Sequence, residues 1–257
     1  MKAKKRFGQN FLHDPNIIGK IIHAANPKAD DVFYEIGPGH GAITEELVDR
    51  VAGLHLVELD SDLIPELEQK FGHRDHVQVH HQDALTLELP EPVGGQKVRV
   101  IGNLPYNVST PLLIHLLKQA DRIEDMLFML QKEVVTRIAA EPGGKDYGRL
   151  SVMLQQRLEP QPLFVVKPGS FHPVPKVDSQ IIRLVPRENP PRVDFKTLER
   201  VVKQAFSQRR KTLKNNLKGV FSAEQLEQLG LDPQQRPETV RMDQYLQLAN
   251  ALKPPQP

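Results

Sequence analysis

The sequence predicts an α/β chain: a mostly parallel sheet with helices on its faces, followed by a small all-helical domain. Three observations carry that expectation. Short apolar runs of strand length alternate with amphipathic runs of helix length through the first part of the 257 residues. A glycine-rich turn, Gly37-Pro38-Gly39-His40-Gly41, follows the first strand pattern and precedes a helix pattern. Beyond a Pro-rich stretch at 186–191 only helical patterns remain. Domains are therefore expected at 1–187 and 188–257.

The elements follow in order. Asp14 or Asn16 is placed to cap a helix running to about Ala25. A first strand covers 31–36 and ends in Glu35-Ile36 at the glycine turn. Helix 42–50, strand 54–59, helix 61–71 and strand 77–80 come next. A loop at 90–95 precedes the apolar run 97–101, which reads as a buried strand. Ser109 or Thr110 caps the helix that follows, and Pro111 suits its first turn. A fifth strand, 126–130, precedes helix 132–140. A Gly-rich loop at 142–148 precedes helix 149–157. Strands 163–166 and 180–185 read as a hairpin. The helical domain comprises 195–208, 213–220, 223–229 and 240–252. In its first helix Leu198, Val201, Val202, Ala205 and Phe206 share one apolar face.

Composition excludes several classes. There are no cysteines, so disulfides, thiol catalysis and Cys-ligated metal are out. No run of 18 apolar residues is present, so no membrane span is expected. The basic N-terminus lacks an apolar core and is not a signal peptide. A cytoplasmic location is expected. His73 and His76 have metal-ligand spacing, but no carboxylate arrangement supports a metal site and no metal is expected. The formal net charge of +2 hides an asymmetry. Residues 31–91 carry three Lys/Arg against fourteen Asp/Glu, whereas residues 203–218 carry Lys203, Arg209, Arg210, Lys211, Lys214 and Lys218 and no acid. A basic run without acidic partners attracts a polyanion by counterion release.

The motifs suggest chemistry. The glycines of the 37–41 turn let a ligand approach the backbone, and Glu58, closing the second strand, is placed to hold two ribose hydroxyls. These two features fit any nucleoside cofactor, NAD included. Two features favour S-adenosylmethionine: in Gln82-Asp83-Ala84, Asp83 can accept from an adenine amine and the Ala84 N–H can donate to the ring, and the Asn103 loop supplies amine acceptors but no hydride-transfer apparatus. Asn103-Leu104-Pro105-Tyr106 lies at the carboxyl end of a strand, where open α/β sheets bind ligands. An exocyclic amine on a nucleobase is a poor nucleophile because its lone pair is delocalised into the ring. The Asn103 side-chain oxygen and the Leu104 carbonyl are two acceptors that would pull that nitrogen towards a tetrahedral geometry. Pro105 stiffens the turn, and Tyr106 offers a face to a base.

Nine segments, in order, resemble a known family: Lys5 to Leu12, Glu35 to Gly39, Val57 to Asp60, Gln82 to Ala84, Asn103 to Tyr106, Leu130 to Val134, Tyr147 to Ser151, Phe171 to Ser179 and Phe206 to Lys211. Together they are similar to the small-subunit ribosomal RNA adenine dimethyltransferases (the KsgA/RsmA family). The resemblance implies a Rossmann-like, S-adenosylmethionine-dependent methyltransferase domain and a helical C-terminal domain; in the latter the basic run makes Arg209, Arg210, Lys211 and Lys214 the residues expected to bind RNA. It implies four methyl transfers to two adjacent adenines near the 3′ end of 16S rRNA, in the immature small subunit; a monomer is expected, since nothing in the sequence forces an oligomer. It places Asn10 and Leu12 over the cofactor, Gly37 and Gly39 along its methionine part, Glu58 at the ribose, and Asp83 and Ala84 at the adenine. Asn103 would sit where cofactor and target meet, with Leu104 and Tyr106 around the base. Phe171 by itself reads as a core aromatic between two strands; the resemblance has it stack on the target adenine. The alternatives are a large-subunit rRNA adenine methylase and an assembly factor that acts mainly by binding the subunit. An NAD-dependent oxidoreductase has only the glycine turn in its favour.

Overall fold

The computed structural model describes residues 10–105 and 108–252. Within them the chain forms two compact units. The first comprises residues up to 135 and 160–186, the second 136–159 and 187 onward.

The first unit opens with β1 (Phe11–Leu12) and α1 (Pro15–Ala25). Asp14 caps α1 by accepting from the Asn16 and Ile17 N–H groups at 3.0 and 3.4 Å. The helix ends at Asn26, whose φ of 47° is the left-handed stop that Asn tolerates. Then follow β2 (Val32–Ile36), α2 (Thr44–Leu47), β3 (Gly53–Glu58), α3 (Ile64–Phe71), β4 (Val77–His81), β5 (Val98–Asn103), α4 (Ser109–Leu117), β6 (Ile123–Gln131) and α5 (Lys132–Ile138). Val108 takes the N-cap position of α4 with no side-chain cap, and Ser109 is buried in the first turn rather than capping it.

After α6 (Arg149–Gln155) come β7 (Leu158–Val166), β8 (Phe171–His172) and β9 (Ser179–Pro186). Seven strands form one sheet in the order β4-β3-β2-β5-β6-β9-β7. Pairing is parallel from β4 through β6, and β9 runs antiparallel to β6. This is the expected Rossmann-like α/β class. β1 and β8 form a separate antiparallel pair in which Phe11 faces His172 and Leu12 faces Phe171.

On one face of the large sheet Phe33, Leu54, Leu56 and Ile101 pack against Ile21, Leu47, Leu67 and Phe71 of the helices. At the amino end of the strands, Arg99 makes two bonds to Asp125 at 2.7 and 2.8 Å and one to Asp31 at 2.7 Å. It also donates to the Ala25 carbonyl, which ties the end of α1 to the sheet. That buried guanidinium is fully partnered, as a charge out of water requires.

The second unit contains α6, α7 (Phe195–Ala205), α8 (Leu213–Asn216), α9 (Ala223–Gln228) and α10 (Met242–Ala251). α6 packs on α7 and α10 because Leu150, Val152, Met153 and Leu154 bury almost its whole surface. Residues 136–159 thus group with the C-terminal helices, whereas the sequence reading carries 1–187 as one domain. Tyr147, Phe206 and Tyr245 form an aromatic chain with ring centroids 6.4 and 5.7 Å apart. Among the described residues, no helix is long and apolar enough to cross a membrane.

Candidate active site

Strand order reverses direction around β2. The chain steps outward through β3 and β4 on one side, then returns to place β5 on the other. A crevice opens at such a switch point, beyond the carboxyl ends of β2 and β5. Ile36 pairs with Gly102 there. A Cβ on Gly102 would lie 2.5 Å from the Ile36 carbonyl oxygen, so glycine is what lets the two strands approach.

A cavity of about 610 Å³ occupies this crevice, a size suited to a cofactor or drug-sized ligand. Its lining includes Asn10, Leu12, Gly37, Gly39, Glu58, Asp83, Ala84, Asn103, Leu104 and Pro105. Ten positions singled out in the sequence therefore meet on one surface. Tyr106 lies outside the described residues.

The glycine turn forms one wall. Gly37, Gly39 and Gly41 have φ values of +67°, +59° and +86°, a region that costs other residues steric strain. Gly37 donates to the Val57 carbonyl at 2.9 Å, and Gly41 packs on Phe71, whose ring lies 2.6 Å from where a Cβ would stand. Phe11 of β1 rests on Gly39 and on the His40 ring, centroids 4.4 Å apart. Glu66 of α3 accepts from His40 Nδ1 at 2.9 Å and fixes that ring.

Glu58 closes β3 and is 6% exposed. Its carboxylate accepts from the N–H groups of Leu59, Asp60 and Gly39 at 2.9, 2.8 and 3.3 Å. Burial raises its pKa and these three donors oppose the rise. Glu35, on β2, is 1% exposed and accepts from the Thr44 hydroxyl at 2.7 Å. Burial pushes its carboxyl up to about 7; the Thr44 bond opposes this and the Glu58 charge adds to it. Asp83 accepts from the Leu85 N–H at 2.9 Å, which fixes the turn that carries Ala84.

At the end of β5, the Asn103 side-chain nitrogen donates to the Asn10 carbonyl at 2.9 Å. A backbone carbonyl only accepts, so the amide nitrogen must face Asn10. Leu104 donates to the Met129 carbonyl at 3.2 Å, and Val108 closes the turn by donating to the Pro105 carbonyl at 3.1 Å.

One expectation needs correction. Phe171 does not line the cavity: it is 2% exposed and belongs to the core cluster with Leu12 and Ile21. Strand alternation explains this. Successive side chains of β8 point to opposite sides, so Phe171 turns inward and the exposed His172 lines the cavity instead. Phe171 has no open face for a base.

Three of the lining residues given no role in the sequence reading stand out. Leu59 and Leu85 are 45% and 36% exposed, and both line the cavity on the side of Glu58 and Asp83. Large apolar side chains left open in a cavity suit a flat ring. His172 is the third. Among the described residues, no group of three or more His, Asp or Glu is arranged to hold a metal ion. In the second unit, Arg209, Arg210, Lys211 and Lys214 are all exposed, on the turn before α8 and on its first turn.

Known proteins similar to this chain are RNA methyltransferases. The family described as "Ribosomal RNA adenine dimethylase" matches residues 1–253. The chain is 52% identical to "Ribosomal RNA small subunit methyltransferase A" of Nitrosococcus oceani over 250 residues, 96% of this chain and 95% of that one. The protein of the same name from Pseudomonas aeruginosa is 52% identical over 254 residues, 98% and 95% of the two chains. Among solved structures, a dimethyladenosine transferase from Plasmodium falciparum superimposes with a TM-score of 0.81 at 26% identity, covering 93% of this chain and 95% of that one. The 23S rRNA methyltransferase ErmE gives 0.72 at 29% identity, with 94% and 98% covered.

Proposed function

The chain belongs to the ribosomal RNA adenine dimethylase family, and from that premise we propose that it dimethylates two adjacent adenines near the 3′ end of 16S rRNA, in the cytoplasm, as a monomer acting on the immature small subunit. The observation that carries the chemistry is the orientation of Asn103. With its nitrogen held by Asn10, its oxygen is the atom turned for accepting, at the strand end where cofactor and target would meet.

S-adenosylmethionine supplies the methyl as an electrophilic carbon on a sulfonium, which leaves as a thioether. The cavity fits it in size and in donor set. Gly37 and Gly39 leave room along the backbone, Glu58 would hold the ribose, and Asp83 with Ala84 would read the adenine. Leu59 and Leu85 would cover the faces of that ring. The residues on the target side act on the substrate amine. The Asn103 oxygen and the Leu104 carbonyl accept its two hydrogens, which draws the nitrogen out of conjugation and aims its lone pair. Bound S-adenosylmethionine would be the methyl donor to that lone pair, its sulfur leaving as the thioether, and the amine's proton would pass to water. The protein's share is positioning, which alone is worth several powers of ten. The target base must leave its stack to reach such a crevice. Arg209, Arg210, Lys211 and Lys214 would neutralise rRNA phosphates.

The small-subunit substrate is favoured over the large-subunit one by the 52% identity to small-subunit enzymes, against 29% to ErmE. The test is methyl incorporation from labelled S-adenosylmethionine into unmethylated small subunits, with large-subunit RNA alongside. Dimethyladenosine at two neighbouring positions of small-subunit RNA is expected. Label confined to large-subunit RNA would overturn the assignment.

A further inference from the structure

The turn between α7 and α8 carries the densest positive charge of the chain. Lys211 donates to the Gln208 carbonyl at 3.0 Å, so residues 208–211 form a closed turn with Arg209 and Arg210 at its two corner positions. Both point outward into solvent, as do Lys211 and Lys214. A corner of two arginines flanked by lysines on a bare loop would ordinarily splay through self-repulsion.

Beneath it lies Asn216, 3% exposed. Its side-chain nitrogen donates to the carbonyls of Gln208 and Lys211, at 3.0 and 3.4 Å, the first and last residues of the turn. Its side-chain oxygen accepts from the Ser207 hydroxyl at 3.3 Å. Its backbone is held as well: the N–H donates to the Thr212 carbonyl at 3.0 Å, and the carbonyl accepts from the Gln204 side chain at 2.8 Å. One buried amide thus grips both ends of the basic turn and the residue before it. Its two amide hydrogens and its carbonyl are all committed to this one segment. The rest of α8 is anchored, with Leu213 and Leu217 fully buried and the Leu213 and Lys214 N–H groups bonded to the Gln235 and Pro233 carbonyls.

We propose that Asn216 is a positioning residue for RNA binding: it holds the Arg209–Arg210 corner in a preformed shape, so that the phosphate backbone of RNA meets an ordered pair of guanidinium groups. Asn216 does not touch the RNA. The inference rests on the reading of the basic turn as an rRNA surface.

Shape and charge separate in a salt titration. The slope of log affinity against log salt counts phosphates neutralised, about 0.7–0.9 per contact. Asn216→Ala keeps every charge, so the slope stays. The turn must instead be ordered on binding, and fixing even one residue costs about a factor of ten in affinity. Neutralising Arg209, Arg210 and Lys211 together to Gln lowers the slope itself, by about 2–3.

The experiment measures binding of each variant to small-subunit RNA at several salt concentrations, with S-adenosylhomocysteine binding as a control on the first unit. Hydrogen exchange of the Lys211 amide is read in the free protein. Asn216→Ala is expected to bind RNA about tenfold more weakly at unchanged slope, with faster exchange at Lys211. The isosteric Asn216→Asp, which lacks both amide donors, should show the same faster exchange should the alanine variant fold poorly. Unchanged affinity and exchange would overturn the inference. So would a slope that falls with the affinity, since Asn216 would then be altering the number of phosphate contacts. A triple Gln variant that binds like the parent would overturn the underlying reading of the basic turn, a result distinct from either.

Discussion

The amide of Asn103 and the backbone carbonyl of Asn10 meet at 2.9 Å across 93 residues of sequence. The bond joins the end of β5 to the segment that enters β1, and it leaves the Asn103 oxygen, not the nitrogen, as the atom available to an incoming amine. Asn103→Asp tests both consequences. A carboxylate cannot donate to the Asn10 carbonyl, so two acceptors would face each other. Turnover should fall by on the order of 100-fold, the scale of losing one aligned transition-state hydrogen bond. Affinity for S-adenosylhomocysteine should change far less. Steady-state kinetics on small subunits, paired with calorimetry, separates the two; retained dimethylation would remove Asn103 from the chemistry.

Glu58 is held at three points by backbone N–H groups, and one of them, Gly39, belongs to the glycine turn. Glu58→Gln replaces one acceptor oxygen by a donor nitrogen that must face an N–H or the ligand. Hydrogen bonds to a charged group are worth about 1.5–3 kcal/mol. Affinity for S-adenosylhomocysteine should therefore drop by about 10- to 100-fold, with kcat at saturating cofactor much less affected. An unchanged dissociation constant would take the ribose role away from Glu58.

What could be read from the sequence was whatever has a local signature. The glycine turn, the acid closing a strand, Asp83-Ala84 and the Asn103 loop each combine a backbone requirement with a neighbouring element. All of them line one cavity. What could not be read depends on packing between distant segments. β1 and β8 are two residues each, too short for any periodicity, and their pairing decides that Phe171 points inward and His172 into the cavity. Leu59 and Leu85 look like ordinary core residues in sequence and are exposed only because the crevice opens beside them. Residues 136–159 group with the C-terminal helices because α6 packs on α7 and α10, which no linker composition announces.

Gly102 makes the same point as a prediction. Its backbone is not left-handed, so nothing local demands glycine there. Yet a Cβ would stand 2.5 Å from the Ile36 carbonyl oxygen, a backbone atom with no side chain to swing aside. Gly102→Ala should lower stability by about 1–3 kcal/mol, the usual cost of forcing extra atoms into a packed site. Urea denaturation measures it. A variant as stable as the parent would mean that β2 and β5 separate at no cost.

Phe171 separates packing from stacking. As a core aromatic it should cost about 3–5 kcal/mol when cut to alanine. Phe171→Leu keeps most of the volume and should keep both fold and turnover. Loss of turnover in a stably folded leucine variant would restore a role for the ring at the target base.

Glu35 gives the chain a pH dependence of defined sign. Burial pushes its carboxyl up to about 7 from an ordinary value of 4.5. In that window the folded protein holds a proton that the unfolded chain has released. Stability from this group is therefore complete below about pH 4.5 and is lost as pH rises through 7. The loss is on the order of 3 kcal/mol. Glu35→Gln cannot ionise, and its amide oxygen can still accept from the Thr44 hydroxyl, so its stability should lack this downward slope. Urea titrations of both proteins at pH 5 and pH 8 should show the parent losing ground to the variant as pH rises. Glu35 is among the residues lining the cavity. Its ionisation puts a second negative charge next to Glu58, so bound S-adenosylmethionine, with its positive sulfonium, should offset part of the loss. A parent whose stability relative to Glu35→Gln stays flat between pH 5 and 8 would mean that Glu35 is ionised throughout and that a further donor, not burial, sets its charge.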